Sequence, residues 1–249
     1  MTITIPKGGI NMPEIEGSAR ERALGYELLA SIFLNEPTWE QFRVLKKWAA
    51  DLEESWLEEL LREIEEGDPE LEELQQTYYD LFFVPVSGRF VPPFEAAIRG
   101  ARRQKGGKTK FGGFWGDSTL QISHIYQQIG FEPEKMTIFQ PLKEMNIPDQ
   151  IGFELAALAY LCQTEESWQK AKKDLGALHH WQKVLLEEHL NQWLPQLRED
   201  LAGADPTGFY TYFAGLAAEF CREEARILTG SPTPESTSNE NIEREEWQS

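Results

Sequence analysis

The chain has 249 residues, two cysteines and a formal net charge of −18 from 42 acidic and 24 basic side chains, and this length supports a core without disulfides or a structural metal. The charge excludes a basic footprint for nucleic acid and favours cationic partners, although acidity on its own more often serves solubility. No window is long and apolar enough for a membrane span, and the opening MTITIPKGGINMPEIEG lacks the apolar centre of a signal peptide, so the expected setting is the cytoplasm.

Residues 1–17 carry little periodicity and read as a flexible N-terminal segment. Ser18 and Glu21 then have capping-box spacing, opening a helix with Leu24, Leu28 and Ile32 on one face. A second helix, or two shorter ones, is predicted from Pro37 to Ile64, and GDPEL restarts the chain with Asp68 as cap and Pro69 in the first turn. On that third helix Leu71, Leu74, Tyr78 and Leu81 share a face, with Phe82 nearby. Tyr79 and Phe83 lie off it and lead into Pro85, Pro92, Pro93 and Phe94. Such aromatic residues either pack under a loop or helix, the commoner case, or line a cleft whose prolines lose little freedom when a peptide docks.

Between Gly100 and Gly116 the pattern breaks, and RGARRQKGGKTK places six basic residues among glycines. This composition predicts a flexible, solvated connection; the spacing of a phosphate-cradling loop is missing. Further helices are predicted over 118–129, 148–162, 167–201 with a break near Gly176, and 206–228. The last carries Phe209, Phe213, Leu216, Phe220 and Ile227 as a stripe at helical spacing. In PDQIGFELAALAYLC the stripe is Ile151, Leu155, Leu158 and Cys162, and Glu154 falls on its border, partly buried. It is either a structural tie, the favoured reading, or an anionic contact in a groove. From Ser231 onward the chain is polar and acidic and reads as a disordered tail over 231–249. There is no strand alternation. The prediction is a single all-α domain, a helical bundle over residues 18–230.

Catalytic signatures are missing. The four histidines form no HExxH pair, no serine sits in a GxSxG elbow, and the glutamate runs read as solvated helix faces. Cys162 and Cys221 stand in apolar helical patterns without metal-type spacing and read as buried thiols in a reducing compartment. The residues therefore predict a binding protein, with no catalytic residue, metal or cofactor. An all-α nucleotide hydrolase using the basic loop and a structural adaptor subunit of a redox complex are the competing readings.

Two stretches carry a family resemblance. YYDLFFVPVSGRFVPPFEAA, residues 78–97, resembles the aromatic-x-x-Leu-Phe, Gly-Pro and Pro-Pro-aromatic pattern of the TorD/DmsD/NarJ redox-enzyme maturation chaperones, and IPDQIGFEL is similar to that family's Pro-Asp-His followed by Glu-Leu. GFWGDSTLQISHIYQQIGF and LLEEHLNQWLPQL are weaker echoes, the second of a His-Leu-x-x-Trp helix. Val84 stands in place of a glycine, Ala96 in place of a serine and Gln150 in place of a histidine. The resemblance implies a TorD-like helical fold and a chaperone for a molybdoenzyme catalytic-subunit precursor, recognised by its twin-arginine signal peptide and held until its cofactor is inserted. The charge argues against a nucleic acid partner and the lack of an apolar span against stable membrane insertion, while a monomer and a domain-swapped dimer both stay open. The resemblance places Leu81, Phe82, Pro85, Pro93, Phe94, Pro148, Asp149 and Glu154 at or near the peptide site; Glu95 and Gln150, inside the same motifs, and Tyr79, Phe83 and Pro92 from the cleft reading complete the candidate set.

Overall fold

The computed structural model describes residues 18–51, 69–103 and 109–230. The expectations for residues 1–17, 52–68 and 231–249, including Asp68 as a cap, lie outside them, as does that for residues 104–108 in the middle of the basic loop. The helices are α1 (Ala19–Leu34), α2 (Trp39–Asp51), α3 (Pro69–Phe82), the short α4 (Glu95–Arg99), α5 (Asp117–Ile129), α6 (Gln140–Met145), α7 (Ile151–Lys170), α8 (Gly176–Lys183), α9 (Asn191–Ala202) and α10 (Phe209–Thr229). A π-helical stretch, Val184–Leu190, joins α8 to α9 without a break. The all-α expectation holds.

Local chemistry sets the helix ends. The Ser18–Glu21 box is formed: the Ser18 amide donates to Glu21 Oε2 at 2.7 Å, and Ser18 Oγ accepts from the Glu21 amide at 3.4 Å. Gly130, at φ 73°, ends α5 in the left-handed region that glycine adopts without strain. The predicted break near Gly176 falls just before it, where Lys172 takes φ 53° between α7 and α8.

The core centres on α7, and α1 runs along it as the most extensive helix pair. From Ile151 to Ala159 every residue of α7 is buried, which corrects the single-stripe expectation for this helix: a helix enclosed on all sides has no border. The α1 face also differs from prediction. Of its predicted residues Ile32 is buried, but Leu24 is exposed and Leu28 half-buried, whereas Tyr26 and Phe33 point inward together with Ala19, Ala23 and Ala30, small residues that bulk-counting overlooks. At the tightest point a Cβ on Gly152 would lie 2.4 Å from Leu34 Cγ. Gly152→Ala should therefore cost about 1–3 kcal/mol by overpacking, read as a lowered denaturation midpoint with an unchanged m-value.

In α3 the predicted face is the buried one: Leu71, Leu74, Tyr78 and Leu81 enter the core with Phe82. In α10, Phe209, Phe213 and Leu216 are buried, Phe220 is half-buried and Ile227, in the last turn, is exposed. Both cysteines are free and buried.

Two features had no counterpart in the sequence reading. Arg102–Arg103 pairs antiparallel with Thr109–Lys110 (β1 and β2), and Arg103 reaches Glu199 of α9 at 2.5 Å, so the ends of the basic loop are anchored, not free. Arg22 is buried between Glu165 at 2.7 Å and Glu224, linking α1, α7 and α10. Gln182 of α8 joins the network through Glu165 at 2.9 Å.

Candidate functional site

The two motifs, more than fifty residues apart in sequence, are stitched together by backbone. The Glu95 amide donates to the Asp149 carbonyl at 2.9 Å and the Ile151 amide to the Pro93 carbonyl at 3.0 Å, forming a bridge between Phe94 and Gln150. Proline suits this stretch because the bridge asks Pro93 for a carbonyl, not an amide. Upstream, the Val91 amide donates to the Leu81 carbonyl at 2.8 Å, returning the loop to α3.

Side chains lock the junction. Asp149 Oδ2 accepts from the Ala96 amide at 2.8 Å, Thr119 Oγ1 at 3.0 Å and Ser118 Oγ at 3.4 Å, so one carboxylate caps α4 and meets the first turn of α5. Burial raises its pKa, and the Ala96 and Thr119 bonds oppose that shift. Gln150 uses both ends of its amide: Oε1 accepts from the Gly152 amide at 2.6 Å and caps α7, while Nε2 donates to the Phe33 carbonyl of α1 at 3.0 Å. A glutamine thus supplies a donor and an acceptor where the resemblance leads one to expect a histidine.

Beneath this junction lies a buried acidic cluster. Glu95 Oε1 accepts from Arg99 at 2.5 Å, and its Oε2 lies 2.8 Å from His189 Nδ1, carried on the π-helical stretch. Glu154 is fully buried, and neither of its oxygens has a hydrogen-bond partner. Burial, reinforced by Glu95 and Asp149, holds its carboxyl well above the usual range; Trp193 and Arg99 oppose the shift, although the Trp193 indole N–H falls short of a hydrogen bond. Full burial corrects the partly buried placement expected for Glu154.

The thirteen candidate residues fall into two groups. At the end of α3, Leu81 and Phe82 are buried, Tyr79 and Phe83 half-buried and Pro85 exposed. Around the bridge, Pro92, Pro93, Phe94, Glu95, Asp149, Gln150 and Glu154 are buried, leaving Pro148 half-exposed. Phe94 lies in a small satellite core with Ala97 and Ile147, and its ring is 5.1 Å from Phe114. His189 and Trp193, which in sequence are only part of a helix, lie four residues apart and share the face that meets the acids.

Beside Pro148 opens a cavity of about 420 Å³, lined by Tyr126, Phe131, Phe153, Glu132, Glu134 and Pro148 among others. The C-terminal end of α5 at Gly130 borders it, so a helix dipole's negative end and two glutamates meet aromatic faces. The arrangement suits a cationic side chain. Among the described residues no group of three or more His, Cys, Asp or Glu could hold a metal ion, and no helix is long and apolar enough to cross a membrane.

The model of the nitrate reductase delta subunit family matches residues 45–199, more than half of the chain and both motifs. The chain belongs to this family, in agreement with the TorD/NarJ resemblance. Among solved structures it is similar to a crystal structure from Archaeoglobus fulgidus, provisionally assigned as a redox enzyme maturation protein, with 17% identity and a TM-score of 0.44 over 85% of this chain and 99% of that one. No curated protein matches.

Proposed function

We propose that this chain is a maturation chaperone that binds the precursor of a molybdoenzyme catalytic subunit in the cytoplasm, through a twin-arginine signal peptide or the adjoining N-terminal region, and assists cofactor insertion without catalysing turnover. The observation that carries the peptide reading is the cavity beside Pro148. Its lining includes the aromatic side chains of Tyr126, Phe131 and Phe153, and also Glu132, paired to Lys135, and Glu134, which makes no ion pair among the described residues. The net charge of −18 favours encounter with a basic segment.

Expressing a molybdoenzyme with and without the protein and measuring its molybdenum content tests the function; equal loading in both cultures would reject it. For the site, a fluorescein-labelled twin-arginine peptide should bind, and changing both arginines to glutamine should weaken binding at least about tenfold, or ~1.4 kcal/mol. Glu134→Gln should weaken the arginine peptide but not the glutamine one. An equal effect on both would remove the cavity from the binding reaction.

A further inference from the structure

Residues 131–147 cross the aromatic end of α3 as a strap containing α6. Phe139 sits in a seat made by Phe83, Tyr78 and Tyr79, with ring centroids at 5.4, 5.8 and 5.9 Å. Among the described residues, one backbone hydrogen bond ties residues 132–146 to the rest of the chain, from the Phe139 amide to the Leu34 carbonyl at 3.1 Å. The other backbone bonds of this segment close on itself, as from Met136 to Pro133 and Lys143 to Phe139. Met136, Ile138, Phe139 and Met145 are only half-buried, and Leu142 alone between Phe131 and Asn146 is buried. So the strap is held by apolar contact and one backbone hydrogen bond, over the core residue Tyr78 and over Tyr79 and Phe83, which α3 leaves off its core stripe.

We infer that the strap is a self-supplied occupant of a docking seat, displaced when an uncharged apolar segment with an aromatic or leucine anchor takes the place of Phe139. The strap supplies the chemistry of its replacement: Met136-Thr137-Ile138-Phe139 is uncharged, and three of its four residues are apolar. It also supplies the order. The strap leaves α5 through Phe131, Glu132 and Glu134 and returns through Asn146, all lining the cation cavity. A peptide with a basic group in that cavity and an apolar stretch next to it would therefore run directly onto the seat. This inference rests on the signal-peptide reading only for the identity of the partner. A closed strap lowers apparent affinity in proportion to the rarity of the open form, which disfavours weak apolar segments.

The test uses the full chain, Phe139→Ser, and a labelled synthetic peptide of residues 135–146 of this protein. The variant should keep a cooperative melt and bind that peptide at least about tenfold more tightly than the unaltered protein, and adding Phe83→Ser should abolish the gain. No gain in Phe139→Ser, or loss of its cooperative melt, makes the strap a fixed part of the core and overturns the inference. A twin-arginine peptide is titrated in parallel. Capture of the strap peptide without binding of the twin-arginine peptide rejects the signal-peptide reading and keeps the seat; binding of the twin-arginine peptide without a gain in Phe139→Ser does the reverse.

Discussion

Arg22→Ala should lower the free energy of unfolding by about 3–5 kcal/mol, the range for removing one partner of a buried ion pair. The guanidinium bridges Glu165 and Glu224, all three residues being nearly inaccessible. Burial works against its charge, but Glu224 and Glu165 outweigh that effect and raise its pKa. Removing it leaves two carboxylates in the interior, one of which, Glu224, is already pushed upward by burial. They respond by binding protons, so the defect should be greatest near neutral pH and shrink as acid neutralises them. Replacing all three residues with apolar ones of similar volume should recover most of the loss, because desolvation and attraction nearly cancel in a buried pair. Urea melts of both variants at pH 5 and pH 7.5 decide the matter; a single-variant loss below about 1 kcal/mol would mean that the triad is solvated.

Much of this molecule is legible in its sequence. The Ser18 box, the Leu71-Leu74-Tyr78-Leu81 face and the two buried thiols follow from local spacing, and local spacing does not depend on partners. What was lost depends on tertiary neighbours. Arg22 draws no reading from the sequence, because nothing within α1 announces carboxylates from α7 and α10. Glu154 reads as a border residue because a helical wheel assumes one wet face, and α7 has none over its first nine residues. Tyr79 and Phe83 were recognised as surplus to the α3 stripe, but their cover, Phe139, stands in an irregular stretch without periodicity. The motifs showed where to look but not what their polar residues do: Asp149 and Gln150 cap helices, and Glu95 grips Arg99 and His189.

The Glu154 carboxyl offers the sharpest pH test. Its folded pKa is raised well above the usual 4.5 by burial and by Glu95 and Asp149, so between 4.5 and the raised value the folded chain holds a proton that the unfolded chain has released. Stability from this group is therefore fully present at and below the ordinary carboxylate pKa and declines as pH rises, by about 1.4 kcal/mol per unit within that window. Glu154→Gln keeps the shape and removes the titration, at the cost of a buried amide with no evident partner. At pH 5 the variant should be no more stable than the unaltered protein. The comparison should then move steadily in its favour as pH rises from 5 to 8. Asp149 and Glu224 are raised as well and slope in both proteins, so the difference between the two urea-denaturation profiles reports Glu154 together with its coupling to Glu95 and Asp149. Parallel profiles would show that its carboxyl titrates normally in the fold. A difference of opposite sign would show that it is ionised and paired, and would keep it among the candidates for gripping a cationic partner.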